Sequence, residues 1–229
     1  MIGDSAVRLS EMFGPTVQGE GPSTGVLAAF VRLAGCNLSC SWCDTPYTWD
    51  WDRFDRRTAS TRVPIAEVAA WLAATPTPLL VITGGEPLLQ QRAVAAIATA
   101  SGRRVEVETN GTRVPTGQVT AVVSQFNVSP KLGNAAMPAH RRINVTALTA
   151  LAATGKAVFK FVASDLADLD EIDALVQYLG DSPIWVMPEG VDAQKVLAGL
   201  RRLADPVIAR GWNLGSRMHV LVWGDERGR

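Results

Sequence analysis

The chain has 229 residues, of which 47% are hydrophobic and 19% charged, enough apolar material for one domain with its own core. Lys+Arg and Asp+Glu are both 22, and this zero net charge argues against a scaffold-wide nucleic-acid footprint. The N-terminus lacks the basic-then-apolar pattern of a signal peptide, and no apolar run reaches the ~18 residues of a membrane span, so the expectation is a cytoplasmic protein without membrane contact.

Short runs rich in Val, Ile and Phe alternate with helical patterns, without internal repeats or a long linker. Strands are predicted at residues 26–33, 79–83, 104–108, 121–128, 157–162, 183–187 and 218–223. Most read as continuous apolar runs, the pattern of parallel strands covered on both faces. Between them, Ile65, Val68, Ala69 and Leu72 fall at helical spacing behind Pro64, and residues 90–100, 166–178 and 193–204 read similarly. The alternation predicts a single α/β domain over residues 1–229, either a barrel or an open parallel sheet. Four strands run into polar or glycine-rich tips: Thr83-Gly84-Gly85-Glu86-Pro87, Glu108-Thr109-Asn110-Gly111, Ser129-Pro130-Lys131 and Met187-Pro188-Glu189-Gly190. In a parallel α/β fold such tips gather on one face and build a site.

Cys36, Cys40 and Cys43 are the three cysteines of the chain, and all lie within eight residues. A disulfide framework wants an even count, and a structural zinc site usually wants four N/S ligands. Three thiolates on one short loop suit a four-iron, four-sulfur cluster with one iron left open. The alternatives are zinc completed by His140 or His219, a Cys-x-x-Cys redox pair with a spare cysteine, and simple core packing. Thiols clustered without a pairing scheme fit a reducing compartment.

The spacing Cys36-x₃-Cys40-x₂-Cys43, with Trp42 before the last cysteine, resembles the signature of radical S-adenosylmethionine (SAM) enzymes. Gly84-Gly85-Glu86-Pro87 is similar to the glycine-rich motif that binds the SAM amino group in that superfamily. Phe13-Gly-Pro-Thr-Val-Gln-Gly-Glu-Gly21, Phe30-Val-Arg-Leu-Ala-Gly-Cys-Asn37 and Cys43-Asp44-Thr45 together resemble the 7-carboxy-7-deazaguanine synthase family. The resemblance covers residues 11–45 and 79–131 and weakens afterwards.

That resemblance implies an incomplete, distorted (β/α) barrel with its cluster loop at residues 36–45 and a tail at 223–229. It implies a lyase that converts 6-carboxy-5,6,7,8-tetrahydropterin to 7-carboxy-7-deazaguanine with loss of ammonia, on the route to queuosine. The implied cofactors are a 4Fe-4S cluster on Cys36, Cys40 and Cys43, SAM, and Mg²⁺ with Thr45 as a ligand. SAM would lie against Trp42, Cys43, Asp44, Gly85, Glu86, Ser129, Pro130, Lys131 and the tip Met187, Pro188, Glu189 and Gly190. The pterin would meet Val17, Gln18, Gly19, Glu20, Arg32 and Thr83. A homodimer and a flavodoxin or ferredoxin-type reductant are implied as partners, and the radical chemistry itself is carried by the cluster and SAM.

Several of these positions have plainer alternatives. Arg32 suits a substrate carboxylate through its planar fork, or an internal ion pair. Glu20 pairs a substrate amine or caps a loop, and Thr45 holds a metal or bonds its own backbone. Glu108 and Asn110 shape their tip or touch ligand. Trp49 and Trp51 stack on a base, shield the cluster or pack. His219, near the start of the last predicted strand, reads as a structural hydrogen-bond partner, and the tail as a lid or a frayed end.

Overall fold

A computed structural model describes residues 6–228 of the chain. The N-terminal stretch over residues 1–5 and the last tail residue, Arg229, lie outside the described residues. In chain order the strands are β1 (Ala6–Val17), β2 (Leu27–Leu33), β3 (Thr61–Pro64), β4 (Leu79–Gly84), β5 (Arg104–Thr109), β6 (Gln125–Val128), β7 (Ala157–Ala163), β8 (Ile184–Pro188) and β9 (Asn213–Leu214). The helices are α1 (Arg56–Ala59), α2 (Ile65–Ala74), α3 (Gln91–Ser101), α4 (Gly117–Val122), α5 (Ala139–Arg142), α6 (Val145–Ala152), α7 (Ala167–Leu175), α8 (Ala193–Ala209) and α9 (Met218–Trp223).

Among the described residues the strands form one sheet in the order β3-β1-β2-β4-β5-β6-β7-β8-β9. From β2 to β9 every neighbouring pair is parallel, whereas β1 runs antiparallel to both β2 and β3. The two ends of the sheet, β3 and β9, do not pair with each other, so the barrel is incomplete and open.

Strand alternation sorts the two faces. Ala29, Val31, Leu33, Leu80, Ile82, Val105, Val107, Phe126, Val128, Phe159 and Phe161 all join the main core on the face shared with the helices. Their neighbours in the chain point to the other face. There Ala28, Phe30, Leu79 and Val81 form a small apolar floor, and Glu106, Glu108, Asn127 and Lys160 bring polar groups inside the barrel. The continuous apolar runs expected of most strands are thus interrupted on the interior face. Glu106 is fully buried, accepting from Ser23 and from Asn127 Nδ2 at 2.8 Å, with Arg104 as its ion partner. A buried carboxylate with three donors is satisfied without water.

Two strand predictions need correction. Residues 121–128 hold the end of α4 and then the short β6. Residues 218–223 form the helix α9, so His219 is helical. The strands β1, β3 and β9 were not anticipated. The predicted helices agree in place with α2, α3, α7 and α8, though α8 runs on to Ala209 through Pro206.

Phe126 is completely buried in the middle of the sheet. Replacing it with Ala is expected to lower unfolding free energy by about 3–5 kcal/mol. Urea titration with an unchanged m-value checks this; a loss below about 1 kcal/mol would show that the core collapses to fill the void.

Candidate active site

The C-terminal ends of the parallel strands and the inner face of the sheet enclose a cavity of about 700 Å³. This lies within the roughly 300–1,000 Å³ of small-molecule sites. All three cysteines, Thr45 and all six expected pterin contacts line it. So do Trp42, Asp44, Gly85, Ser129, Lys131, Met187 and Glu189 of the expected SAM set. Glu86, Pro130, Pro188 and Gly190 stand outside the lining.

The cysteine loop follows β2 directly. Leu38 N–H donates to Cys36 Sγ at 3.4 Å, and Trp49 Nε1 donates to Cys43 Sγ at 3.3 Å. Leu38, Ala135 and Met137 form a buried apolar patch on which Cys36, Cys40 and Trp42 pack. Burial above all pushes the Cys36 thiol up to about 12. The sulfurs do not converge: among the described residues no three His, Cys, Asp or Glu side chains stand close enough to hold one metal ion. A cluster that takes each thiolate on its own iron needs no such convergence.

The glycine tip holds this loop. Gly84 has φ +154°, and a Cβ there would meet Leu33 O at 2.2 Å; at Gly85 it would meet Gly35 O at 2.4 Å. These glycines therefore admit the backbone of the cysteine loop itself. Gly85 N–H donates to Leu33 O and Glu86 N–H to Gly35 O. The Glu86 carboxylate lies beneath the wall and accepts from Leu88 N, Thr109 Oγ1 and Asn110 N at 2.7–2.8 Å. It ties its own turn to the β5 tip below the expected SAM site, and burial raises its pKa.

Among the expected pterin contacts a buried ion cluster dominates. Glu20 pairs with Lys160 and Arg217, whose Nε donates at 2.9 Å, and His219 Nε2 stands 4.0 Å away. Burial alone would raise the Glu20 pKa, but Lys160 and Arg217 outweigh it and hold the carboxyl well below the usual range. Burial pulls Lys160 down, but Glu20 and Glu108 hold its ammonium at about 12. Glu108 also accepts from Gln18 Nε2 at 3.2 Å and Thr83 Oγ1 at 2.8 Å. Gln18, only 2% exposed, accepts from Glu20 N–H at its other end. Arg217 reaches further, to Asp44 of the cysteine loop and to Gly190 O at 2.6 Å. Helix α9 docks through Met218 N–H on Gly19 O. A Cβ on Gly19 would lie 2.1 Å from His219 Nδ1, so only glycine fits there. Burial lowers the His219 pKa, favouring the neutral ring.

Opposite this cluster, Arg32 Nε pairs with Glu11 Oε1 at 2.7 Å. Arg32 thus forms an internal ion pair and also faces the cavity. Among the described residues its terminal amino groups carry no hydrogen bond. The guanidinium lies 5.6 Å from the Phe13 ring centroid, and Phe13 stacks on Phe30 at 4.8 Å. Glu11 also accepts from Tyr47 OH at 2.8 Å and Arg227 Nε at 2.7 Å. Arg227 lies 4.0 Å over the Tyr47 ring, so the tail residues 224–228 fold across the cavity mouth and line it.

The remaining tips supply positive charge and shape. Lys131 Nζ donates to Ser129 Oγ at 3.0 Å and sits 5.3 Å over the Trp42 ring, whose Nε1 donates to Asn134. Glu189 pairs with Lys195 beside Met187. Among the described residues Thr45 Oγ1 has one hydrogen-bonding partner, Cys43 Sγ at 3.8 Å, rather than its own backbone. Lys160, Arg217, Glu11 and Tyr47 were not anticipated. Of these, only Lys160 left a trace, as a charge inside the apolar run Ala157-Val-Phe-Lys-Phe-Val162.

The family model described as Radical SAM superfamily matches residues 31–131. The chain is 36% identical to the 7-carboxy-7-deazaguanine synthase of Pyrobaculum aerophilum, with 97% of each chain covered. It is 33% identical to the protein of the same name from Hyperthermus butylicus, covering 96% of this chain and 94% of that one. The crystal structure of QueE from Escherichia coli superposes with a TM-score of 0.75 at 26% identity, covering 95% of this chain and 96% of that one.

The buried cluster carries a pH signature. The depressed Glu20 pKa gives stability that is fully present above the unfolded value of about 4.3 and lost as pH falls through the folded value. Lys160→Met is expected to cost about 3 kcal/mol at neutral pH, because the buried Glu20 charge is left with Arg217 alone. It should also flatten the acid limb below about pH 4, because Glu20 then titrates nearer its unfolded value. Urea unfolding across a pH series measures both effects; an unchanged acid limb would show that Lys160 does not hold the Glu20 charge.

Proposed function

We propose a working mechanism on the premise that the chain belongs to the 7-carboxy-7-deazaguanine synthase family of the radical SAM superfamily. The reaction is the ring contraction of 6-carboxy-5,6,7,8-tetrahydropterin to 7-carboxy-7-deazaguanine on the route to queuosine. Ammonia is the one other product, so the atoms balance without an added oxidant. The observation that carries this reading is the meeting of the cysteine loop, the glycine tip and the charged pocket in one cavity.

The residues fit the implied cofactors. Three thiols with N–H donors already aimed at two of them are a suitable cluster donor set. Thiols raised by burial need a cation to ionise, and binding would release their protons. When bound, the cluster and SAM supply the radical that takes a hydrogen atom from the substrate. Gly85 spends its N–H on Leu33, which leaves its carbonyl for the SAM ammonium. Lys131 and Ser129 provide donors for the SAM carboxylate or ribose, beside the Trp42 ring. Asp44, fixed by Arg217, and the Met187–Gly190 tip complete that side.

Arg32 binds the substrate carboxylate with the terminal nitrogens that Glu11 leaves unused, the bidentate match a guanidinium makes best. Gln18, Gly19, Glu20 and Thr83, with Glu108 behind them, offer donors and acceptors to the pterin edge. Val17 and the Phe13–Phe30 stack give the ring an apolar surface. The tail and α9 keep water from the cavity.

Mg²⁺ belongs to the same proposal, with the Thr45 hydroxyl as its protein ligand and the substrate carboxylate and waters as partners. It would hold the substrate geometry as template and Lewis acid. A homodimer, a flavodoxin or ferredoxin-type reductant and residence in a reducing cytoplasm complete the proposal. Three free cysteines support the last of these, and no described helix is long and apolar enough to cross a membrane.

The test is anaerobic. Reconstituted, reduced protein given SAM, Mg²⁺ and the tetrahydropterin is expected to yield 7-carboxy-7-deazaguanine by mass spectrometry. SAM cleavage without that product would move the substrate assignment elsewhere. Cys40→Ala is expected to lose the cluster absorbance and SAM cleavage together. Thr45→Ala is expected to keep both while slowing turnover and raising the Mg²⁺ requirement; identical Mg²⁺ titrations in variant and parent would remove Thr45 as a ligand.

A further inference from the structure

A second groove, of about 550 Å³, lies where the start of β1 meets α1 and β3. Arg8, Arg56, Arg57 and Arg62 line it, with Asp55 as its one acidic residue. Among the described residues none of the four guanidiniums has a carboxylate partner: Arg8 donates to Ser60 Oγ, and Arg56 lies 5.7 Å over the Trp51 ring. Asp55 spends an oxygen on the Arg57 backbone N–H. On a chain with no net charge this is a concentrated positive patch.

Both walls of the groove lead to the cysteines. Arg8 O accepts from Ala34 N at 2.9 Å, and Ala34 is two residues before Cys36. An extended chain advances at most ~3.6 Å per residue, so this wall stands within about 10 Å of the Cys36 backbone. On the other side Trp51 underlies Arg56, and Trp49, two residues earlier, donates to Cys43 Sγ. The substrate mouth, by contrast, is covered by tail residues 224–228.

We propose that this arginine groove is the docking surface of the acidic protein that delivers an electron to the cysteine-bound cluster. The step forms and breaks no bond: the donor's low-potential centre loses one electron and the cluster gains it. The patch attracts an acidic donor by long-range steering and sets it beside Cys36 and Cys43, away from the covered mouth. This inference rests on the cluster reading above, so the test separates the two.

Turnover is measured with two electron sources, reduced flavodoxin and dithionite, for the parent chain, Arg56→Glu/Arg57→Glu and Arg62→Glu. Flavodoxin-driven turnover is expected to fall about tenfold in the double variant and to lose most of its salt dependence, as rim charges act on encounter. Dithionite-driven turnover should stay within about twofold, since a small reductant needs no dock. Equal loss with both sources would overturn the proposal, and so would an unchanged flavodoxin rate. A variant that loses only RNA retention on a filter would assign the groove to nucleic acid instead. If the parent cleaves no SAM with dithionite, the cluster reading itself fails.

Discussion

A carboxylate kept ionised where burial would neutralise it organises this site. Glu20 holds its charge because Lys160 from β7 and Arg217 before α9 meet it from two sides. Burying ions is expensive, and a pair offsets the cost only with good geometry and every remaining group satisfied. That condition recruits distant parts of the chain: Arg217 spans Asp44 of the cysteine loop and Gly190 of the β8 tip, while Glu108 secures Lys160, Gln18 and Thr83. The cysteine loop and the polar interior of the sheet are joined by one charge network, so their spacing is set by ion pairing rather than by loop packing alone.

The open sheet makes room for this network. Alternate strand residues enter the helix-covered core, and the others turn polar toward the interior. A closed small barrel would fill that interior with side chains. Here the β1–β2 antiparallel arm and the tail complete the wall in place of further parallel strands. The glycine tip then matters twice: it lets the cysteine loop approach, and through Glu86 it ties that loop to the β5 tip.

What was legible in the sequence was local. The cysteine spacing and the Gly84-Gly85 tip each sit on contiguous residues, and the parallel strands announce themselves by Val and Ile content. The partners that charge the site come from far apart, as the 197-residue separation of Glu20 and Arg217 shows. No pattern near Arg217 marks it. Residues 218–223 carry Val and Trp, which favour strand by side chain, yet tertiary docking on Gly19 winds them into α9. β1 escaped notice because its register shifts between Leu9 and Glu11 and again between Phe13 and Thr16, breaking the alternation that betrays a strand. Lys160 shows the opposite case: a charge in an apolar run is visible, but its partner is not.

Glu11 gives one carboxylate to two arginines, Arg32 on the sheet and Arg227 on the tail. Such sharing makes the two ends of the chain thermodynamically reciprocal. Any ligand that weakened the Arg32–Glu11 pair would change how firmly Glu11 holds Arg227, and the seating of the tail would change affinity for that ligand by the same factor. Mouth and floor are therefore joined through the two oxygens of one carboxylate, with Arg32 on one and Arg227 on the other and no hinge between them.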